Sequence, residues 1–198
     1  MSKLFNSVWF KCIAVLLLIA TVLGGTLAVL NDVLYVSPEE RTLRAVKKIY
    51  GVEKNYSVIL DEDVGDSAIQ YDFGCINKIY QVKSDGEESD LLFKATGYNG
   101  YKGGTITLWI KVVSLNDRLI IDKVVLDGYT KQTLMSKLGG SYYDAYLVDV
   151  TDAYKSGQSF TTQNGAGDFS NPVSGATYSA NAGNNAVNCI IAYLGGAQ

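Results

Sequence analysis

The feature that most constrains this chain is a run of 20 residues, positions 12–31, without a single charged side chain. It reads CIAVLLLIATVLGGTLAVLN. As an α-helix, this run is about 30 Å long, which is the thickness of the hydrocarbon core of a bilayer. We therefore predict a transmembrane helix over residues 12–31. A cleaved signal peptide is the alternative, because a short basic start and small residues near a cleavage point also occur in such peptides.

The charges on either side of this run predict its orientation. Lys3 and Lys11 precede it, whereas Asp32, Glu39 and Glu40 follow it. Because positive residues favour the cytoplasmic side, we expect residues 1–11 in the cytoplasm and the rest of the chain outside. The chain is then a single-pass membrane protein with an extracytoplasmic main domain.

The amino-acid composition excludes several classes of function. The chain has no His and only three Cys, so it lacks the ligand sets of zinc sites, His-ligated haem and four-Cys iron–sulfur clusters, and it cannot form a Ser-His-Asp triad. We predict no metal site. The net charge of −3 provides no basic field for phosphates, so we predict no nucleic-acid partner. Cys75 and Cys189 are either a disulfide or two buried thiols.

A second helix follows the membrane segment. Ser37-Pro38-Glu39-Glu40 has a Ser N-cap, a Pro at the first helical position and a Glu at the third. Apolar and basic residues then alternate at helical spacing. We predict an amphipathic linker helix over residues 37–51.

The remaining domain, residues 55–198, is rich in strand patterns. Apolar and β-branched runs separated by Gly, Asp and Asn turns predict an antiparallel meander, with strands at 76–82, 91–96, 105–113 and 119–126. Residues 129–157 are predicted to be helical in part, and 158–173 to form a polar loop. The fold class is therefore α+β: a transmembrane helix, then an antiparallel β-sheet domain flanked by helices.

The C-terminal segment predicts a last helix with two different faces. Its apolar stripe at i+3 and i+4 spacing consists of Ala176, Ala180, Gly183, Val187, Ile190 and Leu194. A second face carries Thr177, Asn181, Asn184 and Asn188. Ser174 is the expected N-cap, and Gly195-Gly196 is the expected stop.

The tetrapeptide Ser174-Gly175-Ala176-Thr177 resembles the attachment motif of the FMN-binding domain family. That family includes the G subunit of Rnf complexes and the C subunit of sodium-pumping NADH:quinone reductases. The order of elements is similar too: a membrane helix, a short amphipathic helix, a Gly97-Tyr98-Asn99-Gly100 turn before strands, and a C-terminal SGAT helix. The resemblance covers nearly the whole chain.

The resemblance implies that Thr177 carries FMN through a phosphoester, with Ser174, Gly175, Ala176 and Tyr178 around it. The stretch that aligns with the family's Glu-Thr-Pro-Gly-Leu-Gly flavin-lining segment is residues 131–135, so it adds Gln132, Thr133 and Leu134 as flavin contacts. Only Thr133 matches that pattern. The family has Asp three residues before the motif, where this chain has Asn171. Tyr98 and Tyr129 are further candidates to stack on the ring.

The function implied is that of a membrane-anchored electron-carrier subunit in an Rnf-type, ion-translocating ferredoxin:NAD oxidoreductase of a bacterial cell membrane. The implied partners are other membrane subunits, iron–sulfur and flavin subunits, and a flavin transferase that attaches the FMN. No residue of this chain need act as an acid or base. Two alternatives stay open: a stand-alone extracellular flavin electron-transfer protein, and a flavin-free anchored binding or structural ectodomain.

Overall fold

The structure is a computed structural model and describes residues 8–61, 68–83, 89–153, 156–161, 169–170 and 175–196. The chain divides into two compact units, residues 1–44 and 45–198. The chain has an N-terminal apolar helix, an antiparallel sheet and a C-terminal helix, so the predicted α+β class is confirmed.

The first unit contains a long apolar helix, α1 (Val8–Leu34). Within the described part of the chain it is the one helix long and apolar enough to cross a membrane. It extends beyond the predicted residues 12–31 at both ends, because the prediction is bounded by the charges of Lys11 and Asp32, and a charged residue does not by itself end an α-helix. A second helix, α2 (Pro38–Tyr50), begins as predicted: the Glu40 amide donates to Ser37 Oγ at 3.1 Å.

The second unit is built on a six-stranded antiparallel sheet. Its strands are β1 (Tyr56–Asp61), β2 (Ile69–Tyr71), β3 (Gly74–Lys83), β4 (Ser89–Gly97), β5 (Ile106–Leu115) and β6 (Arg118–Tyr129). Strands β3 to β6 are neighbours in chain order, and both β1 and β2 pair with β3. The predicted meander is therefore confirmed. Its β5–β6 hairpin turns at Asn116 and Asp117, which both have positive φ, as a two-residue type I′ turn requires.

The two faces of the sheet are covered differently. One face packs against the C-terminal helix α3 (Thr177–Gly196) and forms the main core. All six residues of the predicted apolar stripe are buried. The other face packs against the end of α2, where Val46 and Ile49 contact a cluster that includes Tyr80, Leu92 and Trp109. The sheet is thus buried on both sides, which explains why β3 is almost entirely buried.

The segment between β6 and α3 completes the main core. Where the sequence predicts helix in part, the described residues of this segment form two short 3₁₀ helices, Met135–Leu138 and Gly140–Tyr146. The described parts of the predicted polar loop include two-residue strands, β7 (Phe160–Thr161) and β8 (Phe169–Ser170), which pair in parallel. This segment covers part of the second face of α3. Asn184 on that face is fully buried, and its Oδ1 accepts a hydrogen bond from the Tyr146 hydroxyl at 2.8 Å.

Cys75 and Cys189 are both buried free thiols. A Cβ at Gly74 would lie 2.8 Å from Sγ of Cys189, so this position of β3 faces α3. Burial raises the pKa of the Cys189 thiol, which leaves it an unreactive core group.

Candidate functional site

A surface recess lies beside the start of α3. It has a volume of about 480 Å³ and is lined by the loop at 99–103 together with Tyr178. Tyr178 is 68% exposed, so its ring is available for contact with another molecule. The recess brings the predicted Gly97-to-Gly100 turn and the predicted SGAT helix to one place, although about 80 residues separate them in the chain.

The loop that lines the recess is tightly folded. The Gly100 amide donates to the Gly104 carbonyl at 2.9 Å, and the Gly104 amide donates to the Tyr101 carbonyl at 2.9 Å. Asn99 and Lys102 have φ values of 62° and 51°, which are uncommon for residues other than glycine. Such backbone conformations concentrate at ligand sites, where surrounding contacts hold them in place.

Gly97 shows why the turn before this loop begins with glycine. A Cβ at Gly97 would overlap the Ala182 carbonyl and the Ala186 amide of α3. The absent side chain lets the helix backbone pack directly on the end of β4. Glycine at this position therefore fixes the distance between the sheet and the helix that carries Thr177.

Helix α3 begins at a different residue from the one that the predicted N-cap implies. Gly175 has a φ of +76°, a left-handed conformation that cannot continue into a right-handed helix. The helix therefore begins at Thr177, and Ala176 occupies the N-cap position. The prediction that Ser174 is the N-cap is wrong for this reason; Ser174 itself, like Asn171, lies outside the described residues. Ala176 is buried, whereas Thr177 is exposed at the first helical position.

A positive charge lies next to this helix start. A Cβ at Gly175 would be 2.7 Å from Nζ of Lys137, so the ammonium group is directly beside the Gly175 backbone. The first amides of an α-helix have no partner within the helix and carry partial positive charge. The lysine and these amides together favour an anion near Thr177.

Gln132 connects three segments beneath the recess. Its side chain is buried, and its Oε1 accepts the Tyr101 amide at 3.2 Å and the Ser179 hydroxyl at 2.7 Å. Its Nε2 donates to the Thr130 carbonyl at 3.0 Å. Gln132 is therefore close to the site, but beneath its surface.

The other predicted contacts are not part of the recess. Thr133 and Leu134 are exposed and lie outside its lining. Tyr98 donates its hydroxyl to Gln70 Oε1 at 3.2 Å and also neighbours the Cys75 thiol, which raises the pKa of Tyr98 to about 12. Tyr129 is 52% exposed and is likewise absent from the lining. Their contact with a flavin stays a prediction.

Sequence reasoning missed five residues of this site: Tyr101, Lys102, Gly103, Lys137 and Ser179. Lys137 lies two positions beyond the segment aligned with the family pattern, and its place beside Gly175 follows from the short 3₁₀ helix that contains it. Ser179 is one small polar residue inside a helix, and nothing in its spacing distinguishes it.

Compared with models of known protein families, with curated proteins and with solved structures, the chain shows no match.

Proposed function

We propose that this chain is a membrane-anchored electron carrier with FMN attached to Thr177 through a phosphoester, and that it serves as a subunit of an Rnf-type oxidoreductase complex. The observation that carries the proposal is the exposed Thr177 of the SGAT motif, at the first position of α3 and next to a residue that lines the recess. The resemblance of the motif and of the element order, stated above, supplies the identity of the cofactor.

The residues around Thr177 fit this cofactor. The exposed hydroxyl can be reached by a modifying enzyme, and the neighbouring Gly175 and Ala176 add no bulky side chain. The first amides of α3, which have no partner within the helix, and the positive charge of the nearby Lys137 would favour the phosphoryl group at Thr177. The recess, at about 480 Å³, is within the size range of small-molecule sites, and Tyr178 offers an aromatic face to a planar ring.

FMN, when bound, supplies reversible one- and two-electron chemistry. The residues of the chain hold it, orient it and adjust its surroundings. Among the described residues, the titratable side chains that line the recess are those of Tyr101, Lys102 and Tyr178, and we assign none of them an acid or base role. A covalent bond suits a carrier outside the cell, because a dissociated cofactor would be lost by dilution.

The proposed location follows from the first unit, and the proposed partners follow from the resemblance. Helix α1 has the length and apolarity of a membrane anchor, and the flanking charges favour a cytoplasmic N-terminus. The main domain would then lie outside a bacterial cell, beside the membrane and iron–sulfur or flavin subunits of the complex. Attachment of the FMN requires a flavin transferase as an additional partner.

The test is attachment of FMN to the full chain, co-expressed with a flavin transferase and purified in detergent. We expect a fluorescent band on a denaturing gel and an intact mass higher by one FMN less one water. Thr177→Ala should abolish both signals and leave the fold intact, because the threonine side chain is exposed. Ser136→Ala, at an exposed hydroxyl residue of the neighbouring 3₁₀ helix, is the matched control and should keep both signals.

An unmodified mass of the wild-type chain under these conditions would contradict the proposal and favour a flavin-free anchored ectodomain. Fluorescence that persists in Thr177→Ala would contradict the assignment of the attachment residue. Co-purification distinguishes the subunit from a stand-alone carrier: the subunit should be isolated from its native membrane with other redox proteins, and the stand-alone protein should not.

A further inference from the structure

Gln132 is the one described side chain that hydrogen-bonds both to the loop lining the recess and to the first turn of α3. It accepts from the Tyr101 amide and from the Ser179 hydroxyl through the same oxygen, at 3.2 and 2.7 Å. Its nitrogen donates to the Thr130 carbonyl at 3.0 Å. The partners fix the orientation of the amide, since a backbone N–H needs an acceptor and a carbonyl needs a donor.

Two glycines make room for this amide. A Cβ at Gly100 would overlap Nε2 of Gln132, and one at Gly104 would lie 2.6 Å from the same atom. The loop backbone therefore packs directly on the amide group. Because Gln132 is 8% exposed, its hydrogen bonds form where water competes little, and each one constrains the loop.

We propose that Gln132 is the positioning residue of the flavin site: it fixes the recess loop relative to the turn that carries Thr177 and Tyr178. This inference rests on the proposed function for its ligand. Gln132 then acts through Tyr101 and Ser179 and does not contact the flavin itself. This role differs from the direct flavin contact that the resemblance implies for this position.

The chain contains a matched control at a distance from the recess. Asn188, also on α3, accepts the Phe160 amide at 2.7 Å and donates to the Phe160 carbonyl at 3.1 Å. It connects the helix to β7 through the same kind of amide-to-backbone bonds. Loss of Asn188 should loosen the domain without changing the recess loop.

The experiment compares Gln132→Ala, Gln132→Glu, Ser179→Ala and Asn188→Ala in the full chain in detergent, prepared with the flavin transferase and also without it. Amide hydrogen exchange at Tyr101 reports on the loop in the flavin-free protein. In the flavinylated protein, the midpoint potential and the fluorescence anisotropy of the flavin report on its surroundings.

We expect Gln132→Ala to speed exchange at Tyr101 about tenfold, because the amide loses its acceptor. It should also shift the flavin potential and lower the anisotropy, while the mass still shows attachment at Thr177. Gln132→Glu keeps the acceptor for the Tyr101 amide, so exchange at Tyr101 should change less than in Gln132→Ala, whereas the added negative charge should lower the flavin potential. Ser179→Ala should change the flavin signals with little effect on Tyr101. Asn188→Ala should leave all three readouts at their wild-type values.

Unchanged flavin signals in Gln132→Ala would overturn the proposal, as would equal changes in Asn188→Ala, which would indicate general loosening. An unmodified Thr177 in the wild-type chain would overturn the proposed function and with it the positioning role. The exchange rate at Tyr101 would still show in that case whether the Gln132 hydrogen bond exists, so the two failures are distinguishable.

Discussion

The two ends of α3 show how one helix combines a ligand site with a structural core. At its start, Thr177 and Tyr178 are exposed, Ser179 makes a polar contact to Gln132, and only the small side chains of Ala176 and Ala180 enter the core. In its last turns, Ile190, Ile191 and Leu194 are buried in the main core. The apolar end holds the helix on the sheet, so the polar end can present side chains to solvent without contributing much to folding.

The largest effect on stability should come from the apolar end. Ile190 is fully buried in the main core, so Ile190→Ala should lower the free energy of unfolding by about 3 kcal/mol through lost burial and a new cavity. Urea denaturation of the full chain in detergent, followed by the main domain's tryptophan signal, measures this change. Among the molecules that remain folded, the fraction that carries covalent flavin should be the same as in the wild type. A similar stability loss in Thr177→Ala would contradict the division between the two ends.

The middle of the helix should give a smaller, pH-dependent effect. The Tyr142 hydroxyl lies 2.6 Å from that of Tyr146 and donates to the Ala180 carbonyl at 3.3 Å. Burial raises the pKa of Tyr142, so the folded state favours the neutral phenol. The resulting stability is complete below the ordinary tyrosine pKa of about 10 and is lost as the pH rises above it.

Tyr142→Phe should therefore cost about 1 kcal/mol at neutral pH through its lost hydrogen bonds. It should also weaken the fall in stability above about pH 10, because one buried phenol no longer resists ionisation. Denaturation midpoints measured from neutral to alkaline pH test both parts. If the stability of Tyr142→Phe fell above about pH 10 as steeply as that of the wild type, Tyr142 would be ruled out as the source of the alkaline destabilisation.

The smallest stability effect should be at the exposed start. Tyr178→Ala should change the free energy of unfolding by less than about 0.5 kcal/mol, because its side chain is largely in solvent. If its ring contacts the flavin, fluorescence of the attached FMN should increase as a quenching aromatic group is removed. Tyr35→Ala, at an exposed tyrosine between α1 and α2, is the control and should leave the fluorescence unchanged. Equal fluorescence in all three proteins would remove Tyr178 from the site.

Much of the fold could be predicted from local patterns. The Ser37 cap, the β-branched runs of the meander and the apolar stripe of α3 each depend on residues close together in the sequence, and each is present in the structure. The start of α3 could not be placed in this way. A serine before a helical pattern predicts a cap, but the left-handed Gly175 moves the first turn to Thr177.

The sequence by itself determined the apolar helix, the α+β class, the absence of histidine chemistry and the SGAT motif, because each follows from composition or from short spacing. Only the tertiary structure decided which residues surround Thr177. Burial of Asn184 under the Tyr146 hydroxyl, the ammonium of Lys137 beside Gly175 and the two bonds accepted by Gln132 all join positions more than 30 residues apart. Such contacts are set by how the sheet, the 3₁₀ helices and α3 pack together, and local propensity carries no information about that packing.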